Sequence, residues 1–186
     1  MSNYSLPVRY GFIGALLMCI FGLFTYMFYR TLFSSFFVQM IFGLAYFASV
    51  IFIVVWGVVT YKREISEINF FKAFVAGMII FSITMFASNI TSYIIPNYID
   101  TDYPQQLYNL VKKSTAESME KFGAPEEEIE KAMDRIEPDQ FSPTLAKTAK
   151  AYGVSLGVGA ILCLIVAAFV SRKNSSVSDI QPTHES

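Results

Sequence analysis

The sequence predicts an all-α membrane protein: four transmembrane helices in an up-down bundle, with a helical extramembrane insertion between the third and the fourth. Hydrophobic residues make up 54% of the chain, and most of the charged residues are concentrated in one segment. Four stretches contain no charged residue, and each approaches the roughly 20 residues that a helix needs to cross about 30 Å of hydrocarbon. These stretches are Gly11–Tyr29, Phe36–Val59, Ala73–Ile95 and Ala151–Val170.

The first stretch is predicted to remain in the protein as a membrane anchor. The sequence Leu16-Leu17-Met18-Cys19 has the outline of a lipoprotein cleavage site, but Met18 stands where a small residue is needed. No small-x-small cleavage pattern follows the apolar run either. We therefore expect residues 1–10 to form a short N-terminus and residues 11–95 to hold the first three membrane helices.

Basic residues in the short flanks of the spans predict the orientation. All but one lie on the same side: Arg9, Lys62, Arg63, Lys72, Arg172 and Lys173. Only Arg30 lies in the other short connection. Because short cytoplasmic loops carry the excess of Lys and Arg, both termini are expected in the cytoplasm. Residues 171–186 are expected to form a disordered cytoplasmic tail.

Prolines mark the boundaries of the third and fourth helices. Pro96 disfavours helical conformation in the residue before it, so the third span is expected to end at Ile95. The fourth apolar stretch covers residues 151–170, but its helix is expected to start near residue 143. Ser142 is a suitable N-cap there, and Pro143 suits the first helical position.

Residues 96–150 are predicted to form an extracytoplasmic acidic helical segment. They hold eleven of the fifteen acidic residues and seven of the fourteen basic ones, a net negative balance that argues against nucleic-acid binding. Helical spacing of apolar residues predicts one helix up to Phe122 and a second, short one from Pro125, with acids in its first turn. The apolar positions are the candidate partner surface: Leu107, Val111, Phe122, Ile129, Met133 and Ile136.

Two interpretations of this segment stay open. It is either a docking element for a protein partner or a solvated helical hairpin that caps the bundle. The cluster of acids from Glu126 to Glu130 is a poor calcium site, because consecutive helical acids point in different directions and the Asp/Asn and Gly spacing of an EF-hand is missing.

Small residues predict where membrane helices pack closely. Ala149, Gly153 and Gly157 recur every four residues on the fourth helix, and Ala73 and Gly77 form a shorter series on the third. Small residues at this spacing let two helix backbones approach each other, which drives association in lipid. Packing within one bundle is the favoured explanation, and a homo-oligomer is the alternative.

No catalytic, cofactor or metal site is predicted. The only histidine is His184 in the tail, so neither a histidine-based metal site nor a catalytic triad is available. Cys19 and Cys163 lie inside spans, where buried thiols act as small apolar residues. Four polar residues near the outer end of the third helix are expected to hydrogen-bond to neighbouring helices: Ser88, Asn89, Thr91 and Ser92.

The motifs at the helix boundaries resemble a bacterial family of four-span proteins catalogued as domain of unknown function 4199. The resemblance rests on Tyr61–Glu64, on Phe70–Gly77, on the acidic Gly123–Glu130 and on the final Ser171-Arg172-Lys173, and it covers about residues 8–173. It implies a fold and a location in the bacterial inner membrane, and no activity.

Three classes of function are therefore open. The leading hypothesis is a non-enzymatic accessory or scaffold protein that presents its extracytoplasmic segment to a partner. The alternative is a small oligomeric transporter or channel, although the spans lack the ionisable residues that usually mark ion pathways. A membrane enzyme is the third, because two carboxylates of the segment offer acid-base chemistry in principle.

Overall fold

The computed structural model describes residues 4–65 and 68–171. Every regular element within these ranges is helical, and four of the helices are long and apolar enough to cross a membrane. This confirms the predicted class of a multi-pass, all-α membrane protein. The α-helices are α1 Ser5–Leu32, α2 Phe36–Glu64, α3 Phe70–Ile94, α4 Tyr103–Lys121, α5 Glu126–Asp134 and α6 Leu145–Val170.

Paired contacts show how α1 and α2 lie beside each other. The ring of Tyr4, just before α1, stacks on Tyr61 near the end of α2, with 6.3 Å between centroids. Farther along α1, Phe21 lies 4.8 Å from Phe42 near the start of α2. The start of α1 is therefore next to the end of α2, as the connection of only three residues between them requires.

The helix α3 occupies the centre of the bundle and contacts α1, α2 and α6. On the α1 side, the Thr84 hydroxyl donates to the carbonyl of Gly11 at 3.4 Å. On the α6 side, Tyr152 donates to the carbonyl of Ser82 at 3.2 Å. The fully buried apolar core lies around this helix and includes Val54, Val58, Ile80, Cys163 and Ala167.

Proline changes the end of α3 in a way that the sequence did not predict in full. The α-helix ends at Ile94, close to the expected boundary, but the chain continues as one π-helical turn over Ile95–Ile99. Pro96 has no N–H to donate, and the wider turn is closed instead by the Asp100 N–H, which donates to the Ile95 carbonyl at 2.9 Å.

A connecting segment, which we define as residues 95–144, joins α3 to α6. It contains the π-helical turn, α4, α5 and a short 3₁₀ turn, Pro138–Phe141. The two predicted helices of this region are therefore present. The start of α6 corrects the prediction: the N-cap is Thr144, whose hydroxyl accepts from the Lys147 N–H, and not Ser142. Both residues have an extended backbone, but the helical residues begin at Leu145, so Thr144 and not Ser142 directly precedes the helix.

The small-residue series give different outcomes on the two helices. Ala73 and Gly77 are buried, and a Cβ added at Gly77 would lie 3.2 Å from the Cys163 sulfur. Ala149, Gly153 and Gly157 are exposed, and no described atom lies within 4 Å of a Cβ at either glycine. Packing of this series within the bundle was therefore a wrong expectation, whereas its role in a homo-oligomer stays a prediction.

The glycine of α6 that does meet another helix is Gly159, which sequence spacing did not single out. A Cβ at this position would overlap the ring of Phe81 on α3. Gly159 lies two residues beyond Gly157, so it faces a different side of the helix, and this side is the one that α3 covers.

Basic residues lie at the end of the bundle where α1 and α3 begin and α2 and α6 finish. Lys62 at the end of α2 donates to the carbonyl of Val170 at the end of α6. Arg9, Arg63 and Lys72 lie in or near the same helix ends. Arg172, Lys173, His184 and the predicted tail beyond Ser171 lie outside the described residues.

The contrast between two glycines of α6 generates a prediction. We expect Gly159→Leu to lower the free energy of unfolding by about 1–3 kcal/mol, because the added side chain must displace the buried Phe81 ring. Gly153→Leu, the matched control, adds the same side chain to open space and should change stability little. Unfolding of both variants in detergent micelles measures the difference. Equal stabilities would contradict the close packing of Gly159 against Phe81.

Candidate binding cavity

A cavity of about 560 Å³ lies at one end of the bundle. We call this the segment end: α1 and α3 finish there, α2 and α6 begin there, and the connecting segment lies across it. The walls come from α1, α2 and α3, and Tyr103, Leu107 and Phe141 of the connecting segment form the roof. The cavity is partly enclosed, and the lining residues include no Asp, Glu, Lys, Arg or His within the described part of the chain.

Hydroxyl and amide groups give the cavity its polar surface. Tyr46 of α2 and Ser88 of α3 share a hydrogen bond of 2.9 Å across it. The Thr91 hydroxyl of α3 lies 2.9 Å from the Ala87 carbonyl of its own helix and 3.3 Å from the sulfur of Cys19 on α1, and its one proton can be donated to either. The expectation of a bond to a neighbouring helix is therefore confirmed for Ser88. Asn89 instead donates to the Met85 carbonyl of its own helix, and Ser92 is an exposed residue of the cavity lining.

The deeper wall is apolar. It includes Met18, which is only 2% exposed, together with Phe21 and Phe42. Gly43 also belongs to the lining, and a Cβ there would have no described atom within 4 Å. The α2 side of the cavity therefore has room for an additional group.

A second, shallower groove continues from this wall. It measures about 420 Å³ and lies between α1 and α2, lined by Leu17, Ala48, Ser49, Phe52 and Ile53. Met18 and Phe21 belong to both linings, so these two side chains separate the groove from the cavity. The two spaces adjoin at these side chains, one at the outer surface of α1 and α2 and the other at the segment end.

Hydrogen bonds with α2 and with the Asp100 carboxylate hold the roof in place. The side-chain amide of Gln39 on α2 donates to the hydroxyl of Ser114 on α4 at 3.0 Å and to the carbonyl of Phe33 at 3.1 Å. Ser114 is 3% exposed, so its hydroxyl needs such a partner. At the other end of α4, the Asp100 carboxylate accepts from the N–H groups of Asp102 and Tyr103, both at 3.1 Å. The roof is therefore a fixed helix and not a loose linker.

Aromatic residues form the rim beside the roof. The Tyr103 ring meets Tyr26 and Tyr29 of α1 edge to face, at 5.4 and 5.0 Å between centroids. Tyr26 donates to the Asp100 carboxylate at 3.3 Å, and Tyr29 donates to the side-chain oxygen of Gln106. Burial, with smaller contributions from the nearby Tyr29 and Tyr26 phenols and from Asp100, raises the pKa of Tyr103 to about 12. Tyr103 is therefore a neutral hydroxyl at physiological pH.

Arg30 completes this rim. Its Nε donates to the Tyr29 hydroxyl at 3.2 Å, and its Nη2 donates to the Gln106 oxygen at 3.0 Å. The guanidinium also lies over the Tyr29 ring, 5.7 Å from the centroid. The sequence placed Arg30 in a short connection, whereas the structure places it in the last turn of α1.

The residues of the predicted partner surface have separate positions. Leu107 lines the cavity and Val111 is half-buried. Phe122 is 71% exposed and lies 6.2 Å from the ring of Phe37 at the start of α2. Ile129, Met133 and Ile136 are half-buried where α5 meets α4. The structure thus does not bring these six residues together as one exposed face.

Sequence reasoning missed the residues that build the cavity. Gln39, Tyr46 and Gly43 lie inside an uncharged span and show no motif. The one available signal was the presence of Gln39 within an otherwise apolar stretch, because an amide in a membrane span needs a partner. Among the described residues no three of His, Cys, Asp and Glu come together as a metal site, and the absence of a cofactor stays a prediction.

Comparison with family models identifies the chain. The model described as protein of unknown function (DUF4199) matches residues 9–172. The chain belongs to the DUF4199 family. The match includes every residue of the cavity lining, so the cavity lies in the part of the chain that defines a DUF4199 protein. Comparisons with curated proteins and with solved structures found no match.

The raised pKa of Tyr103 generates a prediction about alkaline stability. The unfolded chain loses this proton near pH 10 and the folded DUF4199 protein only near pH 12. The stabilisation is therefore complete below pH 10 and is lost as the pH rises to 12, at up to about 1.4 kcal/mol per pH unit. Tyr103→Phe removes this contribution, so the variant should lose less stability than the wild type between pH 10 and 12. Parallel pH dependences of unfolding for the two proteins would contradict the burial of this hydroxyl.

Proposed function

We propose that this protein is a non-enzymatic membrane protein that binds an amphiphilic small molecule in the cavity at the segment end. The observation that carries the proposal is the uncharged, partly enclosed cavity, with hydroxyl and amide groups towards the roof and an apolar wall below. Its volume of about 560 Å³ is within the range of small-molecule sites, which have roughly 300–1,000 Å³.

The lining favours an amphiphile over an ion or a charged solute. A charged molecule would lose its hydration on entry and would find no opposite charge in the cavity lining among the described residues. Hydroxyl groups and aromatic rings suit a molecule with a polar end and an apolar body. The same lack of ionisable residues supports binding over transport, the function proposed in the alternative hypothesis.

We also propose the placement of the protein in the membrane. The four long helices would cross a bacterial inner membrane in an up-down bundle, with the connecting segment outside and both termini in the cytoplasm. The adjacency of the start of α1 and the end of α2 supports the alternating directions. Arg9, Lys62, Arg63 and Lys72 lie away from the segment end, in agreement with the excess of basic residues on the cytoplasmic side.

A cavity-filling substitution tests the binding function. Gly43→Phe should lower photolabelling by a diazirine-bearing diacylglycerol about tenfold, because Gly43 lines the cavity and a Cβ there has no described atom within 4 Å, which leaves room for a ring that would compete for the space. The matched control is Gly153→Phe, which also has open space around it but lies outside the cavity. The assay uses the full-length protein in nanodiscs, with labelled peptides mapped by mass spectrometry. Equal labelling of wild type and Gly43→Phe within the cavity lining would overturn the proposal.

A second candidate function is the presentation of the connecting segment to a protein partner. It is favoured by the first turn of α5, where Glu126, Glu127 and Glu128 are exposed on a helix that is already ordered. A preorganised surface binds without the cost of ordering a flexible segment. The apolar positions contribute less to this function than the sequence suggested, since most of them are half-buried within the chain.

Charge neutralisation separates this second function from cavity binding. With p-benzoylphenylalanine in place of the exposed Asp134, a partner should give one discrete cross-linked product in native membranes. Changing Glu126, Glu127, Glu128 and Glu130 together to Gln should abolish that product, while the cavity and its photolabelling stay intact because none of the four lines it. A product that persists in the Gln variant, or no product in either protein, would leave this function without support.

A further inference from the structure

We propose that the amphiphile carries a phosphate group, which Arg30 binds at the rim while the apolar chain lies in the cavity. This inference rests on the proposed function and names the ligand class of that site. The residues near Arg30 support this placement. Tyr26 and Leu32 of α1 and its C-cap residue, Phe33, all line the cavity. Arg30 itself is exposed and belongs to the same last turns of the helix.

The guanidinium of Arg30 is held in place by neutral partners. It donates to the Tyr29 hydroxyl and the Gln106 side-chain oxygen, neither of which carries a charge. Among the described residues, the ion pairs within 4.0 Å join other side chains, and none includes Arg30. Its positive charge is therefore not neutralised by a carboxylate at contact distance.

The geometry of the group suits a phosphate. Arginine has five N–H donors in a planar fork, and the two bonds to Tyr29 and Gln106 use only part of them. The fork matches two phosphate oxygens at once, and a guanidinium is more weakly hydrated than an ammonium group. Because its present bonds and the Tyr29 ring already fix its orientation, little side-chain entropy remains to be lost on binding.

The apolar part of the molecule has two adjoining spaces below the rim. The cavity extends from Tyr103 at the roof to Met18 and Phe21, and the outer groove of about 420 Å³ begins at these two side chains. An acyl or prenyl chain suits these apolar walls, with its polar end at the segment end of the bundle. A free phosphate ion would use Arg30 alone and would leave the cavity without a function.

A substitution of Asp100 distinguishes phosphate binding by Arg30 from a purely structural role of Arg30. Its carboxylate bonds to Tyr26, the neighbour of Tyr29 in the rim, and its negative charge opposes a phosphate nearby. Asp100→Asn keeps an oxygen that accepts from the N–H groups of Asp102 and Tyr103. This variant should therefore bind the phosphate-bearing lipid more tightly than the wild type.

The test compares three probes on the full-length protein in detergent, by native mass spectrometry. The probes are dioleoyl phosphatidate, dioleoylglycerol with the same chains and no phosphate, and inorganic phosphate. Wild type should bind phosphatidate at least tenfold more tightly than dioleoylglycerol, and inorganic phosphate far more weakly than either. Arg30→Gln should reduce phosphatidate to the level of dioleoylglycerol without changing dioleoylglycerol itself. Lys121→Gln, the control, removes a positive charge at the other end of α4 and should change nothing.

The outcomes separate the two proposals. Equal binding of the two lipids to wild type, or an unchanged preference in Arg30→Gln, would overturn the role of Arg30 and leave the cavity function standing. Inorganic phosphate that binds as tightly as phosphatidate would overturn the amphiphilic ligand. Failure of both lipids to bind wild type, with no effect of Gly43→Phe, would overturn the proposed function itself.

Discussion

The close approach of α3 to α1 and α6 is the contact on which the rest of the structure depends. Lipid gives helices no hydrophobic reason to associate, so their backbones must come near enough for many dispersion contacts. At Gly14, a Cβ would overlap the Thr84 side chain of α3, and at Gly159 it would overlap Phe81. The side chains of α3 therefore fill the space that glycine leaves on both neighbours. The Thr84 hydroxyl, fully buried, finds an acceptor there in the Gly11 carbonyl.

The cavity results from a change in side-chain size along the contact between α2 and α3. Towards the end of α2, Gly57 and Val58 lie against Ile80 and Gly77, and the two helices meet closely. Towards the segment end, the large side chain of Tyr46 reaches Ser88 instead. A large side chain between two helices holds their backbones apart, whereas a glycine lets them meet. The bundle is thus closed at one end and open at the other, and α4 covers the opening.

The sequence predicted this architecture in part, because its signals report local structure and not the contacts between residues far apart in the chain. Uncharged stretches and helical spacing report local structure, so the four spans, α4 and α5 were all predictable. The predicted N-cap of α6 lies two residues early, because Ser142 and Thr144 are both acceptable caps with extended backbones, and only the start of the helix at Leu145 distinguishes them. Spacing alone also favoured Gly153 and Gly157 over Gly159, although of these three only Gly159 meets another helix in the described part of the chain. Which side of α6 is covered depends on where α3 lies, and that information is not local.

Local sequence signals could not predict the cavity, for the same reason. Its polar groups come from three helices and the connecting segment, and each of them is an ordinary residue in its own stretch of sequence. Gln39 shows the difficulty: an amide in a span implies a partner, but Ser114 lies 75 residues away in the chain. The pairing becomes visible only when α4 is placed over the start of α2.

The rim and the roof of the cavity are built from the same residues, and this couples them physically. Asp100 precedes α4 and Gln106 lies in its first turns, so a shift of α4 would break the bonds to Tyr26, Tyr29 and Arg30 together. The neutral Tyr103 ring contacts both phenols that hold the opposite charges of Asp100 and Arg30. Those charges remain at the rim and outside the cavity lining, where keeping a charge costs less than in an uncharged cavity. A molecule that binds Arg30 therefore also acts on the position of α4, because Gln106 connects the guanidinium to the roof.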